Sequence, residues 1–149
     1  NLLLLGRDGL QALLGHLVTM AESLSEHLEG HAATTVLNSE NFGPVTLFRV
    51  YPDDVDTFTI SKREMTDPKF RETLQKHNDY NRRIFAEIQA EALQGRGVVL
   101  SLTDCYRETE YGEPVVALKS YIMSPFSDEK YVAAVLESVC KARETLGTS

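Results

Sequence analysis

Apolar residues recur at spacings of three and four from the first positions of the chain. Leu2 to Leu5 are followed by Leu10, Leu13, Leu14, Leu17, Val18, Ala21, Leu24 and Leu28. That stripe predicts an α-helix of about eight turns ending near Gly30, a residue suited to the conformation just past a helix end. Asn1 can cap it, but the third helical position is Leu4 and not the Glu or Gln of a capping box. An apolar helix that starts without a polar lead-in either happens to begin at residue 1 or, as is expected here, continues from a missing upstream segment.

Residues 31–43 read as a loop. Val45-Thr46-Leu47-Phe48-Arg49-Val50-Tyr51 is β-branched and aromatic, predicting a strand closed by Pro52-Asp53-Asp54. Over residues 55–65, Val55, Thr57 and Thr59 alternate with Asp56, Phe58 and Ile60, which fits a short edge strand. Asp67 and Pro68 then start a helix, as N-cap and first helical residue. Phe70, Leu74, Asn81, Ile84, Phe85, Ile88 and Ala92 carry it to Gly95. Residues 98–104 and 114–123 predict two strands of an antiparallel hairpin. A last helix opens with Ser127 as N-cap and Asp128 and Glu129 in its first turn, where acidic groups complement the helix dipole. The element order lacks regular strand–helix alternation and predicts an α+β fold, an antiparallel sheet with helices packed on one face. In the third strand, Val116, Leu118, Ser120 and Ile122 oppose Val115, Ala117, Lys119, Tyr121 and Met123. Both sets are largely apolar, so the second sheet face is also expected to be covered.

The chain has 149 residues, enough for one hydrophobic core. A net charge of −7 argues against binding nucleic acid or anionic lipid. No apolar run approaches the roughly 20 residues needed to span a bilayer. Cys105 and Cys140 have no partner at metal-ligand spacing and are expected to be reduced, buried and structural. A cytoplasmic location is the expectation.

Candidate chemistry is sparse. There is no nucleophile elbow, phosphate loop or Cys/His ligand cluster. His16 reads as a half-buried packing residue and His27 as solvated. His77, Asn78, Asp79 and Asn81 read as a polar helix face, and Glu108, Glu110 and Glu113 as a solvated loop. Lys119 differs, being a cation centred in a strand with apolar neighbours on its own face. It is either an ion-pair or snorkelling side chain, or an anion-binding group.

Two segments resemble the group II pyridoxal-phosphate-dependent amino-acid decarboxylases. Leu5-Gly6-Arg7-Asp8-Gly9-Leu10-Gln11 with His16-Leu17-Val18-Thr19-Met20-Ala21 resembles that family's long helix between its large and small domains. Ala117-Leu118-Lys119-Ser120-Tyr121-Ile122-Met123-Ser124-Pro125 resembles its late strand, where a basic residue precedes an apolar run and a turn into the last helix. The resemblance implies an interdomain helix over residues 1–30 and a C-terminal small domain over 31–149 of a fold-type I enzyme. The cofactor-binding domain would lie upstream. It further implies pyridoxal phosphate as cofactor, an L-amino acid as substrate and a homodimer. The family's Schiff-base Lys lies upstream of the matched helix, and no lysine here sits in a motif resembling it. The chain is therefore expected to be inert alone, with no catalytic residue and no metal, and to contribute Lys119 as a substrate- or cofactor-anion-binding group. The family more often carries Arg there, whose planar fork Lys lacks. Residues 52–66 look longer than the usual connection. Two alternatives stand beside this reading: a self-standing α+β binding or regulatory module, and the small domain of a related aminotransferase.

Overall fold

The computed structural model describes residues 2–40 and 43–147, the side chains of 2–5 excepted. Its elements are α1 (Leu2–Glu29), β1 (Thr34–Val36), β2 (Val45–Val50), α2 (Thr57–Thr66), α3 (Arg71–Leu93), β3 (Ser101–Thr103), β4 (Ala117–Tyr121) and α4 (Glu129–Gly147). The strands form one antiparallel sheet in the order β1-β2-β4-β3. The architecture is the expected α+β layer, with β3 and β4 joined as a hairpin.

The core lies between one sheet face and three helices. Phe48 and Val50 of β2, Leu118 of β4 and Ile122 beyond it meet Leu17, Leu24 and Leu28 of α1. Ile84 and Ile88 of α3 and Val132, Val135 and Val139 of α4 complete it. Two buried hydroxyls on this face find partners, as burial requires: Ser120 Oγ lies 3.0 Å from Tyr131 Oη, and Thr46 Oγ1 lies 3.4 Å from Ser25 Oγ.

Several expectations need correction. The first helix is not continuous: Gly6 adopts φ 62°, ψ −174°, a region open essentially to glycine alone, and the helix kinks there. The Asn1 cap lies outside the described residues. The predicted loop after Gly30 contains β1, which is too short to show alternation. Residues 57–66 form α2 and not an edge strand. Asp56 caps α2, its carboxylate accepting from Thr59 N at 3.3 Å and Thr59 Oγ1 at 2.5 Å. Those bonds, the hydroxyl first, hold the Asp56 carboxyl below its ordinary range. A 3-10 turn, Pro68–Phe70, leads into α3, and Asp67 caps it as expected. The cap of α4 moves one residue from Ser127 to Asp128, whose carboxylate accepts from Lys130 N at 3.0 Å. Both cysteines are free, but Cys105 is exposed and Cys140 only half-buried. No described helix is long and apolar enough to cross a membrane, and the described residues contain no cluster of metal-ligating side chains.

The second sheet face is divided. Val115 and Ala117 are buried at 1% and 0% exposure, whereas Tyr121 and Met123 stand 45% and 72% exposed. Arg49 leaves β2 on the side opposite Phe48 and Val50 and meets Glu64 of α2. The unanticipated helix therefore covers part of this face and leaves the Tyr121 end open.

Pairing between β2 and β4 stops at Phe48↔Leu118. Beyond it α3 drives two amides between the strands. Asn81 Oδ1 accepts from Val50 N and its Nδ2 donates to Val50 O, both at 2.9 Å. Asn78 Oδ1 accepts from Val116 N at 3.0 Å while its Nδ2 donates to Pro114 O at 2.8 Å. The polar helix face expected at His77, Asn78 and Asn81 is thus buried: the side chains replace the missing rungs of the ladder.

Each orphaned buried backbone group costs about 1–3 kcal/mol. Asn81→Leu strands both Val50 groups and is expected to cost about 3 kcal/mol, lowering Tm by on the order of 10 °C. Asp79→Ala, on the exposed side of the same turn, should stay within about 0.5 kcal/mol. Urea melts of the two variants check the contrast.

A second expectation concerns acid. Glu91 links α3 to α4 by accepting from Arg96 Nη2 at 2.8 Å and from Lys141 Nζ at 2.5 Å. Those bonds, Arg96's first, hold its carboxyl at about 2 against an ordinary 4.5. The contribution is present above the ordinary value and lost as pH falls toward the depressed one. The stability gap between the natural chain and Glu91→Gln should therefore shrink steadily from about pH 4.5 to 2 in denaturant melts at stepped pH.

Candidate functional site

Two cations stand on the second sheet face. Lys119 pairs across the ladder with Leu47, and Arg49 lies two residues further along β2, so both side chains emerge on the same side. Burial by α2 makes their environments opposite.

Lys119 is half-buried and neighbours the exposed Tyr121. Its Nζ lies 4.9 Å from the Tyr121 ring centroid, within cation–π range. No ion pair joins it to a carboxylate among the described residues. Its ammonium faces the open end of the sheet with an aromatic ring as its close companion.

Arg49 is 1% exposed. Its Nη1 donates to Asn78 Oδ1 and to Val116 O, both at 2.8 Å, so the guanidinium helps plug the splayed strands. Glu64 of α2, itself 1% exposed, holds Oε2 at 3.7 Å from Arg49 Nη2, too long for a hydrogen bond. The Glu64 carboxylate has two better partners. His77 Nδ1 lies 2.5 Å from Oε1, and Tyr51 Oη donates to Oε2 at 3.3 Å. Tyr51 stacks edge-on to His77 with centroids 5.1 Å apart and lies under the Arg49 guanidinium at 5.5 Å. Burial pushes the Tyr51 phenol up to about 12, against the opposing pull of Arg49. Arg49 Nε and Nη2 find no hydrogen-bond acceptor.

Beside this cluster α2 stands away from β1 and β2, leaving a cavity of about 830 Å³. Arg49, Tyr51 and Glu64 form part of its wall; Leu37, Met65 and Val115 supply apolar lining. The connection between β3 and β4 closes the far side and pins the end of α2, with Glu110 N donating to Met65 O and Tyr111 Oη to Glu64 O. Glu113 of the same connection pairs with Arg71 at 3.0 Å.

The other histidines are structural. His16, half-buried as expected, donates from Nε2 to Ser127 O at 2.7 Å and ties α1 to the start of α4. His27 is exposed and bonds within its own helix. His31 accepts from Ala33 N through Nδ1 and turns Nε2 toward Cys140 Sγ at 3.6 Å.

The sequence singled out Lys119 and passed over Arg49, although the same signal marks both, a cation between apolar residues in a strand. Glu64 and His77 carry no such signal, because each sits among polar residues and becomes buried only through the packing of α2 and α3.

No protein-family model and no curated protein sequence matches the chain. Solved structures do. Oryza sativa TDC with PLP and tryptamine superposes with a TM-score of 0.69 at 14% identity, over 97% of this chain and 25% of that one. Mouse CSAD in apo form gives 0.68 at 11% identity, over 95% and 26%. The glutamate decarboxylase domain of diaminobutyrate-pyruvate transaminase and L-2,4-diaminobutyrate decarboxylase from Vibrio parahaemolyticus gives 0.62 at 14%, over 97% and 24%. The fold is that of one part of the group II pyridoxal-phosphate decarboxylases. The chain spans about a quarter of the length of the structures it matches.

Removing one member of a buried ion pair costs about 3–5 kcal/mol because its partner stays charged in a dry site. Arg49→Met should lie in that range. Adding Glu64→Leu should restore only part of it, since Val116 O still lacks its donor. A double-mutant cycle in guanidinium measures both terms.

Proposed function

We propose that this chain is the C-terminal small domain of a pyridoxal-phosphate-dependent L-amino-acid decarboxylase. In this reading residues 1–30 are the interdomain helix and residues 31–149 the small domain of a cytoplasmic homodimer. The observation that carries it is coverage: nearly the whole chain matches about one quarter of several such enzymes.

A covalent site for pyridoxal phosphate needs a lysine at the floor of a cavity. Lys62, Lys69, Lys76, Lys130 and Lys141 are exposed, and Lys141 is engaged by Glu91. Lys62 lines the cavity but is itself exposed. These residues do not make a cradle for the cofactor, which supplies an electron sink when bound. In this reading it belongs to the domain upstream, and the small domain is inert alone. Its part is to close one side of the active site.

Lys119 is the group assigned to that task. Half-burial strips part of the water from the ammonium, and no described carboxylate neutralises it. Its charge is therefore available to a substrate carboxylate or a cofactor phosphate. Charge-assisted contacts of this kind contribute roughly 1.5–3 kcal/mol, about one to two decades in affinity. The exposed Tyr121 and Met123 beside it suit a surface buried against the large domain.

In the full-length protein Lys119→Met should raise the apparent constant for substrate or pyridoxal phosphate by about one to two decades without lowering Tm. Lys119→Arg should be milder. Steady-state kinetics, spectroscopic cofactor titration and thermal melts read the three quantities. Unchanged constants with a lowered Tm would make Lys119 a structural cation and overturn its assignment.

A further inference from the structure

We propose that the cavity beneath α2 is a binding site for a small carboxylate with an apolar body, received by Arg49. The inference stands apart from the decarboxylase reading, for it rests on residues that reading leaves unused.

One edge of the Arg49 guanidinium is spent on Asn78 and Val116. The other edge, Nε–H and Nη2–H, is the side-on fork that accepts two oxygens of a planar acid. Both its nitrogens are buried without an acceptor. Native interiors rarely tolerate such donors, and each calls for a partner. Glu64 does not serve: its Oε2 stays at 3.7 Å from Nη2 while His77 and Tyr51 hold the carboxylate in place. The result is a fixed guanidinium whose unbonded edge lies behind the Tyr51 and Glu64 side chains. The guanidinium is fixed by two bonds, and the competing internal acid is restrained from closing on it.

The space beside it fits a metabolite-sized molecule. About 830 Å³ lies within the roughly 300–1,000 Å³ typical of small-molecule pockets. Leu37, Met65 and Val115 offer apolar contact to the ligand's body. The charges on the wall nearly balance: Glu29, Glu108 and Glu110 are set against Lys62 and Arg107, with Arg49 and Glu64 paired below. The mouth therefore neither repels nor strongly attracts an acid, and selectivity falls to the fork. To reach the buried nitrogens the carboxylate must part the Tyr51 and Glu64 side chains, which couples binding to the position of α2.

Benzoate is the probe, with benzyl alcohol as its neutral counterpart, titrated calorimetrically into the natural full-length protein. Benzoate should bind one to one, and at least about tenfold more tightly than benzyl alcohol. Arg49→Lys keeps the charge and loses the fork, and should weaken benzoate by about tenfold or more. Because Arg49 variants can unfold, Ser61→Trp supplies the independent arm. Ser61 lines the cavity from α2, and its hydroxyl bonds only to Phe58 O in the same helix. The indole should fill the space and abolish binding while Tm holds. No benzoate binding, equal binding of the alcohol, tighter binding of inorganic phosphate, or full binding by Ser61→Trp would each overturn the proposal. Decarboxylase activity, present or absent, enters none of these readings.

Discussion

The structure turns on the demand that every buried backbone N–H and C=O have a partner. Where β2 and β4 separate past Phe48 and Leu118, that demand falls on side chains. Asn81 closes both groups of Val50, Asn78 serves Val116 and Pro114, and Arg49 serves the Val116 carbonyl. A primary amide is the one neutral side chain that donates and accepts along the same edge, so it can stand in for a strand. The substitution locks α3 to the sheet in a single register. Sliding α3 by one residue would turn both amides away and expose the strand ends. The position of Arg49, and so of the cavity wall, follows from this plug.

From there the second sheet face acquires two characters. Near the plug, Glu64 of α2 meets Arg49, and Val115 and Ala117 are buried. Away from it, Lys119, Tyr121 and Met123 face outward. One face thus holds a dry cation with fixed neighbours and a half-wet cation with an aromatic ring. The first has fixed geometry and access only past Tyr51 and Glu64, the second access with little geometry. Recognition of a shaped ligand suits the former; completion of a surface supplied by another domain suits the latter.

The helices on the core face were legible in the sequence, because an apolar stripe at spacings of three and four records which side is buried. So was the hairpin, whose two strands are joined by the largely polar residues 104–116. What escaped was structure anchored by polar residues. The inward anchor of α2 is Glu64, so no apolar stripe announces it, and the β-branched Val55, Thr57 and Thr59 point toward a strand instead. Its one local signal is Asp56, whose side chain caps the helix but reads in sequence as one member of that alternation. The kink at Gly6 was hidden by leucines that fit a continuous helix. Asn78 and Asn81 look like solvated residues until the sheet that splays around them is in place. Their burial is a long-range fact that no local window contains. The candidate site was half legible for the same reason: Lys119 stood out against apolar neighbours, whereas the cluster around Arg49 is assembled from four separate elements.

The bond from His16 to Ser127 marks where α1 joins the body of the fold. Core residues of α1 begin at Leu17, while Arg7, Asp8, Gln11, Ala12, Leu14 and Gly15 on the preceding turns are exposed. At about 1.5 Å per residue, the helix from Arg7 to His16 is an arm on the order of 15 Å long. A tilt of about 5° at the anchor would carry its tip by roughly 1 Å, since a helix of this length bends little. The arm's first tie to α4 is the His16 imidazole, and further along α1 Glu129 of α4 accepts a second one from Ser23. Displacement at the far end of α1 therefore bears on α4 as well as on the sheet against which the same helix packs.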